Sequence, residues 1–248
     1  MDELASLIAS GNLHLALKKL QEVVSQNPTK DSYALLGKVL LELGRDEEAL
    51  DAFINAGDFE SAAKILVSMG SFDKVLSLLE SKSGKEVSLI KALIFMRTEK
   101  FDSALKELEG KEDEFRNEAI FHKVKGISEY ATKRFYEAIR DLTRSIMLYP
   151  LDAELYYYRA LTRLALGDEA GAERDLNMAI NLNPYYAEAY LSKGIITENR
   201  GDTESAISFY SRSIELKPNY KEAYLRRSRA YLKLGKLEES RKDEEKSR

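Results

Sequence analysis

A proline recurs in this chain at a fixed interval of 34 residues, at Pro150, Pro184 and Pro218. Small residues keep the same step in two further series, which are Gly126, Ala160, Gly194 and Ser228, and Ala104, Ala138, Ala172, Ala206 and Ser240. Self-similarity at a period of this length is the signature of a stack of similar supersecondary units. The chain is therefore predicted to grow by adding repeats rather than around one central core.

Each 34-residue repeat is predicted to contain two helices. In the repeat over 153–186, Tyr156 and Ala160 lie four residues apart and share one helix face. The apolar residues of the second half have the four-then-three spacing of another helix face, and they are Ala172, Leu176 and Ala179. The small residues on the two helices allow a close approach. Position 4 of the repeat, held by Tyr156 and by His122, is predicted to be a packing position.

Turn residues mark the ends of these helices. Gly167 supplies the left-handed residue that ends the first helix. Asp168 and Asp202 follow such glycines and are predicted N-caps of second helices. Two repeats carry Glu99 and Lys133 at the glycine position, which weakens the turn signal there.

This pattern resembles the tetratricopeptide repeat, which has an aromatic residue at position 4, Gly or Ala at 8, Ala at 20, an aromatic residue or Leu at 24, and Pro at 32. The resemblance is strongest over 119–235, where repeats that begin at 119, 153, 187 and 221 hold one register. It implies an all-α fold, a right-handed superhelical solenoid of antiparallel helix hairpins, with about seven repeats plus one short-helix insertion.

One segment departs from the 34-residue period. Its glycines recur every 13 residues, at Gly44, Gly57 and Gly70. We expect three parts, namely N-terminal repeats over 1–56, a degenerate short-helix repeat over 57–84, and a C-terminal array over 85–248 that ends in a polar terminal helix. The middle part either only bends the superhelix, which is the interpretation we favour, or acts as a hinge or docking site.

Composition argues against several kinds of chemistry. The chain has no Cys and two His, so it offers no disulfide, thiolate metal site or histidine-built metal site. The net charge of −4 argues against a nucleic-acid partner. No apolar run is long enough to span a membrane, and the acidic start is unlike a signal peptide. With no catalytic motif either, we predict a cytoplasmic, non-enzymatic protein that needs no cofactor or metal.

The resemblance also implies where a partner binds, because positions 2, 5, 9 and 12 of each first helix line the concave groove of such folds. Position 9 forms an apolar row, and Tyr is favoured at interfaces. The predicted partner-binding residues are Leu89, Leu93, Lys123, Ile127, Tyr130, Tyr157, Tyr158, Leu161, Leu191, Ile195, Arg226 and Arg229. Two alternatives remain open. In the first, the apolar row is half-buried between neighbouring first helices instead of being free to bind a partner. In the second, Arg226 pairs with Glu222 instead of with an acidic ligand.

These residues predict a scaffold that binds a helix or extended segment of a partner protein in an apolar groove with a basic end. The ligand would be apolar with an acidic end. The alternative is a self-assembling structural protein, a homo-oligomer in which the terminal helix of one copy occupies the groove of another. A third hypothesis, an RNA-binding helical repeat, is supported only by Arg226, Arg227 and Arg229.

Overall fold

The computed structural model describes residues 2–81 and 83–248, and these residues form helices and turns with no β-strand. The prediction of an all-α fold is confirmed. Met1 and Lys82 lie outside the described residues, so the predicted segment 57–84 is described except at Lys82. Two compact units divide the chain after Glu107, and each is described by itself below. The division into three parts stays a prediction.

The N-terminal unit, up to Glu107, contains eight helices in the described part of the chain, and the first seven pack on their neighbours in chain order. They are α1 (Asp2–Ala9), α2 (Leu13–Gln26), α3 (Lys30–Glu42), α4 (Asp46–Ala56), α5 (Phe59–Ser68), α6 (Phe72–Leu79), α7 (Lys85–Arg97) and α8 (Phe101–Leu108). The short helices α5 and α6, of 10 and 8 residues, lie where the 13-residue period occurs. α5 packs against α4, α6 and α7.

The C-terminal unit, from Leu108 onward, is a series of helix hairpins. Its helices are α9 (Ala119–Ala131), α10 (Phe135–Leu148), α11 (Ala153–Ala165), α12 (Glu169–Leu182), α13 (Ala187–Asn199), α14 (Thr203–Leu216), α15 (Lys221–Lys233) and α16 (Leu237–Ser247). Each odd-numbered helix packs on the next even-numbered one, and each hairpin packs on the one that follows. We call α9, α11, α13 and α15 the first helices. In the described part of the chain, no helix has the length and apolarity needed to cross a bilayer.

Small residues at position 8 of the first helices allow the two helices of each hairpin to meet closely. A Cβ atom placed on Gly126 would lie 2.8 Å from Leu142 Cγ and 2.9 Å from the Leu142 backbone nitrogen. A Cβ atom on Gly194 would lie 2.5 Å from the Tyr210 ring. These distances are shorter than carbon atoms tolerate, so the residue at position 8 limits how closely the two helices approach.

Gly126→Ala should therefore destabilise the protein. The added methyl group meets backbone as well as side chain on α10, so α10 must move, which costs about 1–3 kcal/mol. This exceeds the gain of about 1 kcal/mol that alanine brings to a helix interior. Thermal unfolding followed by circular dichroism should show a melting temperature several degrees lower. An unchanged or higher melting temperature would show that α9 and α10 are not held at this distance.

The turns between helices follow the predicted pattern even where glycine is missing. Gly167 has a φ of +84°, in the left-handed region. Glu99 and Lys133 adopt the same conformation, with φ of 59° and 62°. The side chain of Asp168 accepts a hydrogen bond from the Gly171 amide at 2.8 Å, which confirms the predicted N-cap. A non-glycine residue disfavours this left-handed backbone by about 1–2 kcal/mol. The packing of the flanking helices therefore imposes the turn at Glu99 and Lys133.

A cation at position 7 of the first helix links each of the last three hairpins to the hairpin before it. The residue that accepts its hydrogen bond lies 16 positions earlier on the preceding second helix. The three bonds are from Arg159 to Thr143 (3.3 Å), from Lys193 to Asn177 (2.7 Å) and from Arg227 to Ser211 (2.9 Å). The repeated spacing shows that one polar contact recurs at each of these junctions.

In two hairpins the same guanidinium also binds a buried carboxylate on its own second helix. Arg159 makes a bidentate bond to Asp175 at 2.8 and 2.7 Å. Arg227 binds Asp243 in the same way at 2.7 and 2.8 Å. Removing Arg227 would leave the buried carboxylate of Asp243 without this partner, which typically costs about 3–5 kcal/mol. These pairs therefore fix the second helix in register with the first.

The terminal helix α16 is attached by polar contacts. Ser240 occupies a core position and is buried, and its hydroxyl oxygen lies 3.0 Å from that of Ser228. Asp243, bound to Arg227, is 4% exposed. The polar sequence of α16 thus includes two buried polar side chains with partners, which explains how a helix with one apolar residue, Leu237, packs on α15.

A buried carboxylate, that of Glu129, interrupts the core between α9 and α10. Glu129 is 3% exposed, and within the described residues its Oε2 atom has no hydrogen-bond partner. Asp141, on α10, lies 2.7 Å from His122 Nδ1 and 3.1 Å from Arg140 Nη2. Although burial opposes it, these bonds hold the pKa of Asp141 below its ordinary value. Burial, together with the charge of Asp141, raises the pKa of Glu129 to about 8.

Glu129→Gln should stabilise the protein in a pH-dependent way. The folded state holds the Glu129 proton more tightly than the unfolded state, so stability is complete below the ordinary glutamate pKa of 4.5 and is lost as the pH rises toward 8. Glutamine keeps the shape without the charge. Urea unfolding should therefore give the variant an advantage of about 1–3 kcal/mol at pH 8 and little at pH 4.

Glu22→Gln, at an exposed position of α2 outside its first turn, is the matched control and should change stability at neither pH. An equal effect of Glu129→Gln at both pH values would contradict the assignment of a retained proton to Glu129.

Candidate functional site

The candidate site lies on the first helices of the C-terminal unit. Contacts join α9 to α11 and α13 to α15, so side chains at equivalent repeat positions follow one another across neighbouring hairpins. Lys123, Tyr157 and Leu191 occupy one such position. We call the side chains that α9, α11, α13 and α15 contribute at positions 5, 6, 9 and 12 the first-helix surface.

Five aromatic rings contact one another in series at this surface. The ring centroids of Phe135 and Tyr130 are 6.0 Å apart, and those of Tyr130 and Tyr158 are 5.8 Å apart. The series continues from Tyr158 to Tyr157 at 5.4 Å and from Tyr157 to Tyr186 at 4.9 Å. All five residues are half-buried. We call these five residues the aromatic ladder.

Sequence reasoning identified only three members of the ladder, namely Tyr130, Tyr157 and Tyr158. Phe135 begins a second helix and Tyr186 directly precedes a first helix, so neither lies at a predicted groove position. A signal did exist for Tyr186, because Tyr220 occupies the same place one repeat later. The 34-residue period therefore pointed to a recurrent tyrosine just before the first helix.

The ladder hydroxyls keep their protons at neutral pH. Burial raises the pKa of Tyr157 and Tyr186 well above the ordinary range, and it raises the pKa of Tyr220 to about 12. The surface thus presents neutral hydroxyl groups that can donate hydrogen bonds.

The predicted apolar residues differ in burial. Ile127 is 3% exposed and Leu191 is 5% exposed, so both are core residues and little of either side chain is available to a partner. Both side chains are covered in the free protein, and their contact with a partner stays a prediction. Leu161 and Ile195 are half-buried. Leu89 and Leu93, on α7 of the N-terminal unit, are also half-buried.

Glutamates at position 2 of the first helices are paired with cations. The pairs are Glu154 with Lys123 (2.6 Å), Glu188 with Lys217 (2.7 Å) and Glu222 with Arg226 (2.8 Å). Lys123 also binds Asp152 at 2.6 Å. Although burial opposes it, these bonds raise the pKa of Lys123. Lys123 and Arg226, both predicted site residues, therefore already have acidic partners in the free protein.

A cation remains available near the end of the surface. Arg229 on α15 is exposed, and no ion pair involves it within the described residues. Its neighbour Lys233 is bound to Glu198. Arg229 is therefore the member of the predicted basic end that can bind an anion without first breaking an internal pair.

An open cavity of about 580 Å³ adjoins the ladder at Tyr186. Tyr149, Leu151 and Leu182 form its apolar part, and Asp152, Glu154 and Asn183 its polar part. No group of His, Asp or Glu side chains suited to a metal ion occurs in the described ranges 2–81 and 83–248. The arrangement offers hydrophobic contact and hydrogen bonding.

Comparison with known proteins identifies the family. Two profiles described as tetratricopeptide repeat match this chain, one over residues 5–62 and 124–187 and the other over 187–220 and 221–247. The chain therefore belongs to the tetratricopeptide repeat family, as the resemblance predicted. No protein in a curated collection matches it.

Solved structures share the fold. MamA is 25% identical with a TM-score of 0.56, over 63% of this chain and 91% of that chain. A structure described as the APC/C hetero-tetramer Cut9–Hcn1 has a TM-score of 0.72 at 18% identity, over 92% of this chain and 48% of that chain. YrrB, described as a TPR protein with an unusual peptide-binding site, has a TM-score of 0.53 at 18% identity, over 71% of this chain and 90% of that chain.

Proposed function

We propose that this protein is a non-enzymatic scaffold that binds a segment of a partner protein on the first-helix surface. The observation that carries the proposal is the aromatic ladder, a continuous series of half-buried rings. Tyrosine supplies a large contact area and a polar group with few rotatable bonds, which is why it is enriched at interfaces. A similar fold in YrrB is described as having a peptide-binding site, which supports the same class of function.

The surface provides enough apolar contact for a transient complex. Four to six anchoring contacts at about 1.5–3 kcal/mol each are opposed by about 4–15 kcal/mol for association and ordering. The balance is consistent with roughly micromolar affinity. Arg229 adds a preference for a ligand whose end is acidic, because an exposed unpaired cation gains a partner without losing one.

Arg229→Glu should weaken peptide binding about tenfold, because the acidic end of the ligand would then meet a like charge. The ligands would be selected from a displayed library of random peptides against the wild-type protein. Synthetic copies would then be titrated by fluorescence anisotropy. Arg174→Glu is the matched control, since Arg174 on α12 is exposed and has no ion pair in the part of the chain that the structure describes.

Equal losses in the Arg229 and Arg174 variants would show a general charge effect and contradict the assignment of the acidic end to Arg229.

Leu161→Glu tests the surface itself, because this half-buried side chain lies on α11 beside the ladder. The variant should lose peptide binding while its helix content, measured by circular dichroism, stays unchanged. Retained binding would exclude the first-helix surface as the site.

A second candidate function is self-assembly. Three exposed leucines lie together in sequence at the end of α15 and the start of α16: Leu232 (57%), Leu234 (37%) and Leu237 (55%). Another copy of the chain would remove this apolar surface from water.

If self-assembly operates, light scattering after size exclusion should give a mass that rises with protein concentration. Leu237→Lys should then return the protein to a monomer, because a charge at this position opposes burial. A wild-type mass that stays monomeric over a hundredfold range of concentration would contradict this function.

A further inference from the structure

The aromatic ladder places rings of consecutive hairpins in direct contact. Phe135 and Tyr130 belong to the α9–α10 hairpin, Tyr157 and Tyr158 to α11, and Tyr186 to the turn before α13. No step between successive ring centroids exceeds 6.0 Å. Aromatic side chains in a row are the surface on which extended proline-rich segments bind, because flat rings pack against pyrrolidine rings.

We infer that the segment bound on the aromatic ladder is an extended, proline-rich stretch in the polyproline II conformation, followed by an acidic end. This inference rests on the proposed function, since it names the class of ligand for the same surface. Polyproline II is already ordered in the free peptide, so binding costs less conformational entropy than it would for a flexible segment.

Hydrogen-bonding capacity at the surface favours such a ligand. The ladder offers hydroxyl donors, whereas the nearby carboxylates Glu154, Glu188 and Glu222 are already bound to cations. Proline residues have no backbone N–H group and present only carbonyl acceptors. An ordinary extended segment would instead bring N–H donors that need acceptors. Donors on the protein and acceptors on the ligand therefore match.

The length of the ladder also fits. Its four centroid-to-centroid steps of 4.9–6.0 Å span at most about 22 Å. Polyproline II rises about 3.1 Å per residue and has three residues per turn, so about seven residues, or a little over two turns, cover this length. The same edge of the ligand returns to the protein about every 9 Å, which is a little less than two steps of the ladder.

Charge places the acidic end of the ligand at α15. The ladder ends at Tyr186, which directly precedes α13, and α13 contacts α15. Arg229, exposed and without an ion pair within the described residues, lies on α15. The proline-rich part therefore lies over Tyr158, Tyr157 and Tyr186, and the acidic part extends toward Arg229.

The test uses synthetic peptides of two kinds and isothermal titration calorimetry on the whole protein. One peptide has a run of prolines next to three aspartates, made in both chain directions, and the other has every second proline replaced by glycine, which removes the polyproline II preference. We expect the proline peptide, in one direction, to bind about tenfold or more tightly than its glycine counterpart. Equal affinity of the two peptides would overturn the inference.

Protein variants locate the binding site. Tyr158→Ala interrupts the ladder in the middle and should weaken the proline peptide about tenfold, whereas Tyr136→Ala, at a 78% exposed position of α10, should not. Tyr157→Phe keeps the ring and removes the donor, so it should weaken binding several-fold with an unchanged melting temperature. Full binding by both the Tyr158 and Tyr157 variants would overturn the inference.

The outcome also separates this inference from the proposed function. If library-selected peptides without proline bind and are sensitive to Leu161→Glu, while the proline peptide does not bind, the proline assignment is wrong and the scaffold proposal stands. If no peptide of either kind binds the first-helix surface, both are wrong.

Discussion

The close approach of two helices within each hairpin is the constraint on which the rest of the structure depends. At Gly126 and Gly194 even one methyl group would collide with the facing helix. Because the helices meet this closely, large side chains such as Tyr210 are enclosed between them. The two helices of a hairpin therefore pack as one unit, and a few contacts fix the position of this unit relative to the next hairpin. Among these, the cations Arg159 and Arg227 bind a buried carboxylate on their own second helix and a hydroxyl on the preceding one.

The proposed function depends on this packing because a stack of hairpins brings its first helices side by side. No single repeat contains the whole aromatic ladder. Tyr130 belongs to one repeat and Tyr158 and Tyr186 to the next, and their rings join one series only when the hairpins stack. The surface is consequently continuous over several repeats, and it suits an extended ligand better than a compact one.

Much of the fold could be predicted from the sequence because its determinants are local and periodic. Helix ends at Gly167 and Asp168 depend on one residue each, and the 34-residue period repeats the signal. The left-handed backbone at Lys133 could not be predicted in this way, since packing rather than residue type imposes it. The burial of individual site residues could not be predicted from the sequence either. Ile127 is covered while Leu161, at the same repeat position, keeps exposed surface, because exposure depends on the neighbouring hairpins. Glu129, a buried carboxylate whose Oε2 atom has no hydrogen-bond partner among the described residues, departs from the pattern of apolar core residues.

The most direct measurement is a crystal structure of the protein with a selected peptide bound. Our account predicts that the peptide lies along α11 and α13 with side chains packed on Tyr157, Tyr158 and Tyr186, and with its acidic end near Arg229. A peptide bound instead to the even-numbered helices, or one that leaves the aromatic ladder uncovered, would contradict the account.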